Sequence, residues 1–266
     1  DVCSSDLWET INNWAYTIFE MDNVPNLKEE FAEVYGAFST TEEKITAAID
    51  FVQNDIRYMG IESGIGSIKP FTPKQVLDQR FGDCKDKSLL LVSMLRSLGV
   101  TKSYPVLVST SLTTHVDDFM PSGTLFDHCI AFFEYQGKEY WIDPTLSSQG
   151  GSFKAKMVYD YGKTLIIDNT SKDLKSMNIV DTITKTEIYE VFKIPNFMDD
   201  AALKITTKFY GLKADNFRSI LEYNSLKDIS DYYKGYYENL FPSIISTERM
   251  KVDDDLANNI ITLEEN

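Results

Sequence analysis

The stretch Arg80–Gly99, RFGDCKDKSLLLVSMLRSLG, decides the reading of this chain. Leu89, Leu90, Leu91, Val92, Met94, Leu95 and Leu98 are apolar around most of a helix, so the helix belongs in a core rather than on a surface. Gly99 supplies its C-terminal stop. At the other end Asp83 is a good N-cap and Asp86 follows three residues on, which puts Cys84 at the first helical position. A thiol attacks as the thiolate, and unpaired N–H groups at a helix mouth favour negative charge there. Gly82 leaves space for a substrate, Lys85 and Lys87 add positive charge, and the same backbone N–H groups suit an oxyanion. The competing reading makes Cys84 a small core residue, as most free cysteines are. Its place between charged residues, rather than on the apolar run, argues for chemistry.

Outward from this helix the signals are regular. Upstream, Asp6 with Glu9, Thr40 with Glu43, and Thr72-Pro73 with Gln75 each announce a helix. The first carries Trp8, Ile11, Ala15 and Ile18 on one face; the second carries Ile45, Ala48, Ile49, Val52 and Ile56. Gly60–Gly66 lacks phosphate-loop spacing and reads as a turn-rich connection. Downstream the period switches to strands at Tyr104–Ser109, Cys129–Tyr135 and Glu139–Ile142, the last two joined by Gln136-Gly137.

Only two histidines are present. His115 falls in the polar stretch Ser111–Asp118, whereas His128 opens a strand. A two-residue turn at Gln136-Gly137 pairs Tyr135 with Lys138 and therefore His128 with Thr145. Asp143 then stands opposite Ile130, diagonal to His128 and on its face, within reach of a His–carboxylate hydrogen bond. Asp127 is a rival partner for the imidazole. Cys129 points to the opposite face and belongs to the core, and Cys3 has neither helix mouth nor histidine beside it. A metal held by Cys84, His128 and Asp143 is a further alternative.

The net charge of −15 disfavours nucleic acid and anionic membrane as partners. Three scattered cysteines give neither a disulfide framework nor a zinc ribbon, and no cofactor motif is present. No apolar run has the length of a membrane span, and no leader peptide opens the chain, whose two ends both look cut. From about residue 183 the pattern restarts, with strands at Thr186–Ile194 and Ala202–Tyr210, a mostly helical Ala214–Leu240, and two short strands flanking Asp253–Asn259.

The segments quoted above resemble the bacterial transglutaminase-like superfamily, specifically the branch in which GDCKDK recurs. Phe51-Val52-Gln53-Asn54-Asp55-Ile56-Arg57-Tyr58 is similar to its helix before the site. Phe126-Asp127-His128 and Tyr140-Trp141-Ile142-Asp143-Pro144-Thr145 resemble its histidine and aspartate strands. The likeness runs from about Trp8 to Leu165. It implies an α+β, papain-like fold with an antiparallel sheet over residues 1–180, followed by a smaller strand-containing unit, 181–266, expected to be truncated. In that family a β-rich domain commonly precedes the core. The resemblance also implies a periplasmic or outer-surface location and a peptide or protein substrate, cell-wall peptide included.

The expectation is therefore a cysteine-dependent acyl-transfer enzyme on amide bonds, with Cys84 as nucleophile, His128 as base and Asp143 orienting it, and hydrolysis favoured over crosslinking. A non-catalytic peptide-binding module on the same scaffold is the alternative. Tyr58 and Gln75 are candidate second oxyanion donors by chemical type. No cofactor is expected.

Overall fold

A helix apolar on nearly every side needs neighbours on every side, and that requirement organises the N-terminal half of the chain. A computed structural model describes residues 5–60, 64–181, 183–196 and 200–266. Cys3 and part of the Gly60–Gly66 connection, residues 61–63, lie outside the described residues; Gly64–Ser67 is a short 3₁₀ turn. The chain divides into two compact units, Asp1–Ser147 with Val158–Val180, and Ser148–Met157 with Asp181–Asn266.

In the first unit the helices are α1 (Trp8–Ile18), α2 (Ala32–Tyr35), α3 (Thr41–Asp50), α4 (Pro73–Gln79) and α5 (Cys84–Ser97). Two short parallel strands, β1 (Arg57–Tyr58) and β2 (Phe81–Gly82), bracket α4. The main sheet holds β3 (Ser103–Val108), β4 (His128–Tyr135), β5 (Lys138–Ile142), β6 (Lys163–Ile166) and β7 (Lys175–Ser176) in the order β5-β4-β3-β6-β7, antiparallel throughout. Lys85–Leu95 of α5 are all buried. The helix packs on β3 and β4, with Ser88 Oγ donating to Cys129 O at 3.0 Å and Arg96 Nη2 to Ser103 O at 2.9 Å.

The β4–β5 hairpin has the register read from the sequence, Tyr135 with Lys138 and Ala131 with Ile142. Gln136 and Gly137 carry φ of 52° and 73°, the left-handed pair that a tight hairpin turn demands. The capping boxes at Thr40/Glu43, Thr72/Gln75 and Asp83/Asp86 all form. Asp6 does not cap α1. Leu7 occupies that position without a side-chain cap, and Ser5 Oγ accepts from Leu7 N instead. The second predicted helix also changes character. After Asp50 it widens into one π-helical turn, Phe51–Asp55, and the carbonyls of Gln53 and Ile56 turn toward the Lys87 ammonium.

The second unit has a sheet ordered β10-β11-β9-β8, built from β8 (Lys185–Lys193), β9 (Ala202–Tyr210), β10 (Lys251–Asp255) and β11 (Ile260–Glu265). The helical stretch splits into α6 (Leu212–Tyr223) and α7 (Leu226–Leu240), because Ser225 caps a new helix through Asp228 N. Phe217, Ile229, Ile261 and Leu263 form its core. The segment 148–157, assigned from the sequence to the first domain, is built into this unit instead. Buried Asp215 accepts from Gly150 N at 3.1 Å and Gln149 Nε2 at 3.3 Å, which draws the segment there.

Asn12 ties α1 to the loop after β6. Its fully buried Nδ2 donates to Ile166 O at 3.0 Å and Ser171 O at 3.1 Å. Asn12→Ala removes both hydrogen bonds, leaving Ile166 O with the Asp168 N–H, and is expected to cost ~1–3 kcal/mol. The measurement is urea unfolding; an unchanged midpoint would refute the role.

Candidate active site

Cys84 opens α5, and the hydrogen bonds of Asp83 define what surrounds it. Asp83 Oδ1 accepts from Lys85 N at 3.1 Å and Asp86 N at 3.3 Å, and Asp83 O accepts from Lys87 N at 3.0 Å. In the first turn the backbone N–H of Cys84 is the one with no hydrogen-bond partner among the described residues. The anion-binding capacity read from the sequence for the whole turn thus narrows to this single donor. The role expected of Gly82 also changes. A Cβ there would lie 2.7 Å from Asp86 Cβ, so the glycine makes room for the capping carboxylate rather than for a ligand. The two lysines are buried and engaged: Lys85 Nζ pairs with Asp83 Oδ2, and Lys87 Nζ donates to Ile56 O at 2.7 Å.

At the start of β4, His128 Nε2 lies 2.9 Å from Asp143 Oδ2. The Cys84 side chain stands close enough to the ring to help raise its pKa. With Nε2 committed to Asp143, Nδ1 is the nitrogen left for the sulfur. Asp143, 2% exposed, is held on all sides. Thr145 N and Oγ1 donate to Oδ1 at 2.9 and 2.6 Å, Tyr161 Oη donates to Oδ2 at 3.0 Å, and Gln53 Nε2 donates to the backbone carbonyl at 2.9 Å. The rival Asp127 is turned away from the imidazole, accepting from Thr110 N at 2.7 Å and Thr110 Oγ1 at 2.9 Å. His115 pairs with Asp118 in an exposed turn. Cys129 is buried.

A groove of about 350 Å³ runs past Cys84 and His128, walled by Trp14, Phe19, Ile68, Leu107 and Phe126. Neither candidate oxyanion side chain lines it. Tyr58 lies on β1, paired with Gly82, and Gln75 folds back to accept from Thr72 N at 3.0 Å. Among the described residues no three His, Cys, Asp or Glu side chains are grouped to hold a metal ion, and no helix is long and apolar enough to cross a membrane.

The chain has similarities to known proteins. Residues 30–104 match the transglutaminase-like superfamily. The matched stretch contains Cys84 and stops short of His128 and Asp143. A crystal structure described as a putative protease from Parabacteroides distasonis is similar over 98% of this chain and 59% of its own, at 10% identity and a TM-score of 0.50. One described as a putative cysteine protease from Cytophaga hutchinsonii is similar over 45% of this chain and 36% of its own, at 18% identity and a TM-score of 0.34. The chain thus spans less than two thirds of either protein. No curated protein matches it. The fold is α+β, of the transglutaminase-like, papain-like kind.

Two residues bearing on this site were missed in the sequence. Tyr161 reaches the carboxylate from a loop 18 residues further on, and its ring sits 5.8 Å from the imidazole. Gln53 carried only its helical context. Neither has a local signal, because each acts through a long-range contact.

The electrostatics follow from burial and partners. Burial alone would push the His128 pKa down. The hydrogen bonds and negative charges of Asp143 and Cys84 outweigh it and raise the value from 6.5 to about 10. Burial opposes ionisation of Asp143, but the hydrogen bonds from His128 and Thr145 and the His128 charge hold its carboxyl below the usual range. Burial lowers the Lys87 ammonium from 10.5 to about 8, against the pull of Asp143.

The folded pKa of His128 lies above its unfolded value, so its pairing contributes stability fully below about pH 6.5. That contribution is lost as pH climbs through about 10. The difference in thermal midpoint between the parent chain and His128→Gln should shrink steadily across this window. A difference independent of pH would contradict the pairing.

Proposed function

We propose that this chain is a thiol hydrolase that cleaves amide bonds in peptides or proteins through Cys84, His128 and Asp143. The observation carrying the reading is the placing of the imidazole: one ring nitrogen lies 2.9 Å from a buried carboxylate, and the ring shares one groove with a thiol at a helix mouth. A His128 pKa raised to about 10 makes the imidazolium the dominant form at neutral pH, so the ring holds a proton to give to a leaving group.

In the first half-reaction the Cys84 sulfur attacks the amide carbonyl carbon and forms a C–S bond. The oxyanion that develops is met by the Cys84 N–H. His128 gives its proton to the departing nitrogen as the C–N bond breaks, and a thioester remains. In the second, neutral His128 takes a proton from water, the hydroxide oxygen attacks the thioester carbon, and the C–S bond breaks to release the acid and the thiolate. Asp143 fixes the ring orientation and stabilises the imidazolium, the role of the third member in any such triad. Tyr161 and Thr145 position Asp143 and touch no substrate.

A small alkylating agent at neutral pH should modify Cys84 faster than a free thiol, and Cys84→Ala should abolish hydrolysis of a mixed casein peptide pool. Labelling at the free-thiol rate together with no effect of Cys84→Ala would leave a binding module instead. Adding a primary amine to the same assay reads the partition, because amide products in place of acids would make the chain a transglutaminase.

Tyr161→Phe removes one donor from Asp143 and keeps the ring. The expected result is a kcat about ten- to a hundredfold lower with KM little changed, from loss of an interaction worth ~1.5–3 kcal/mol to a charged group. The alkaline limb of the pH profile should move with it. A change confined to unfolding temperature would assign Tyr161 to structure alone.

A further inference from the structure

The groove beside Cys84 has a chemical character of its own. Its walls are the aromatic side chains Trp14, Phe19 and Phe126 and the aliphatic Leu107 and Ile68. Charged side chains also line it, namely Lys85, Asp127 and His128; two of them are paired with an opposite charge and the third is hydrogen-bonded. Lys85 is paired with Asp83, Asp127 takes donors from Thr110, and His128 is bound to Asp143. An anionic group entering the groove would shed water and meet no free cation, and a cationic one would meet only Asp127, whose oxygens Thr110 already holds, whereas an apolar group would gain by leaving water. The aromatic wall is also fixed in place. A Cβ at Gly123 would lie 2.9 Å from the Trp14 ring, so the backbone there packs directly against the indole. The volume, about 350 Å³, sits in the range of small-molecule sites and accommodates a large side chain.

We infer that the groove is a specificity subsite for a bulky, uncharged apolar side chain on the acyl side of the scissile bond. The inference rests on the thiol-hydrolase reading and narrows its substrates to peptides carrying Phe-, Leu- or Met-like residues next to the cleaved amide. The overall charge of −15 makes an opposite demand, since its field attracts cationic peptides at long range. The two demands separate cleanly, because the field is screened at physiological salt and the groove is not.

The test uses dipeptidyl acyloxymethyl ketones that differ only in side chain, Phe, Leu, Gly, Asp or Lys, at each acyl-side position in turn. The rate of Cys84 modification is followed by mass spectrometry at pH 7 and 0.15 M salt, with iodoacetamide as a control that does not fill the groove. Phe and Leu probes should react about ten- to a hundredfold faster than Gly, Asp and Lys probes at one of the two positions. Ile68→Asp, at a site 46% exposed and therefore tolerant of the change, should shrink the Phe-to-Lys rate ratio by about tenfold. Fast iodoacetamide labelling with a flat ranking, or with Lys or Asp ahead, would overturn the subsite and leave the thiol hydrolase standing. Labelling no faster than a free thiol by every reagent would overturn both.

Discussion

A carboxylate removed from water stays ionised only if donors replace its hydration shell, and Asp143 at 2% exposure imposes that condition on its surroundings. The condition is met by groups from separate parts of the first unit. His128 comes from the start of β4, Thr145 from the turn after β5, and Tyr161 from the loop before β6. Gln53, from the π-helical turn, holds the main chain of the same residue. Deleting any one donor leaves the others to carry a buried charge, so these segments are fixed together. The π-helical turn fits the same constraint. It brings the Gln53 side chain to the Asp143 carbonyl while its main chain receives the buried Lys87 ammonium.

Local patterns in the sequence were enough for the elements that local physics controls. The apolar run Leu89–Leu98 demanded a buried helix, and Asp83 with Asp86 set its first residue. Gln136-Gly137 set the β4–β5 register, because a two-residue turn with both φ values positive matches the twist of the strands it joins. That register brings Asp143 to the His128 side of the sheet. At α1 the reading missed by one residue, with Leu7 rather than Asp6 at the cap. Elsewhere a non-local contact had taken over: Asp215, far along the chain, drew residues 148–157 into the second unit. Tyr161 and Gln53 were invisible for the same reason, since a tyrosine in a loop and a glutamine in a helix carry no mark of the partner they will meet.

The lysines next to Cys84 illustrate how a charge count misleads. In sequence Lys85 and Lys87 look like a positive field around the thiol. In the fold, Lys85 reaches back to Asp83 and Lys87 points into the protein toward two backbone carbonyls. Neither presents a free ammonium to a ligand.

Lys85 nevertheless matters to the thiol, by subtraction. The Asp83 carboxylate is a strong cap, but it stands one residue from Cys84, where its negative charge opposes a thiolate. Pairing Asp83 Oδ2 with Lys85 cancels that charge while Oδ1 keeps the cap. The helix mouth therefore retains its ordered first turn with the carboxylate adjacent to the sulfur neutralised. Beside the sulfur stand the Cys84 N–H, without a partner among the described residues, the N-terminal end of the helix dipole and the His128 imidazolium. The sequence Asp-Cys-Lys-Asp-Lys is read best as a cap, its neutraliser and an internal anchor, arranged so that the thiol faces one cation, His128.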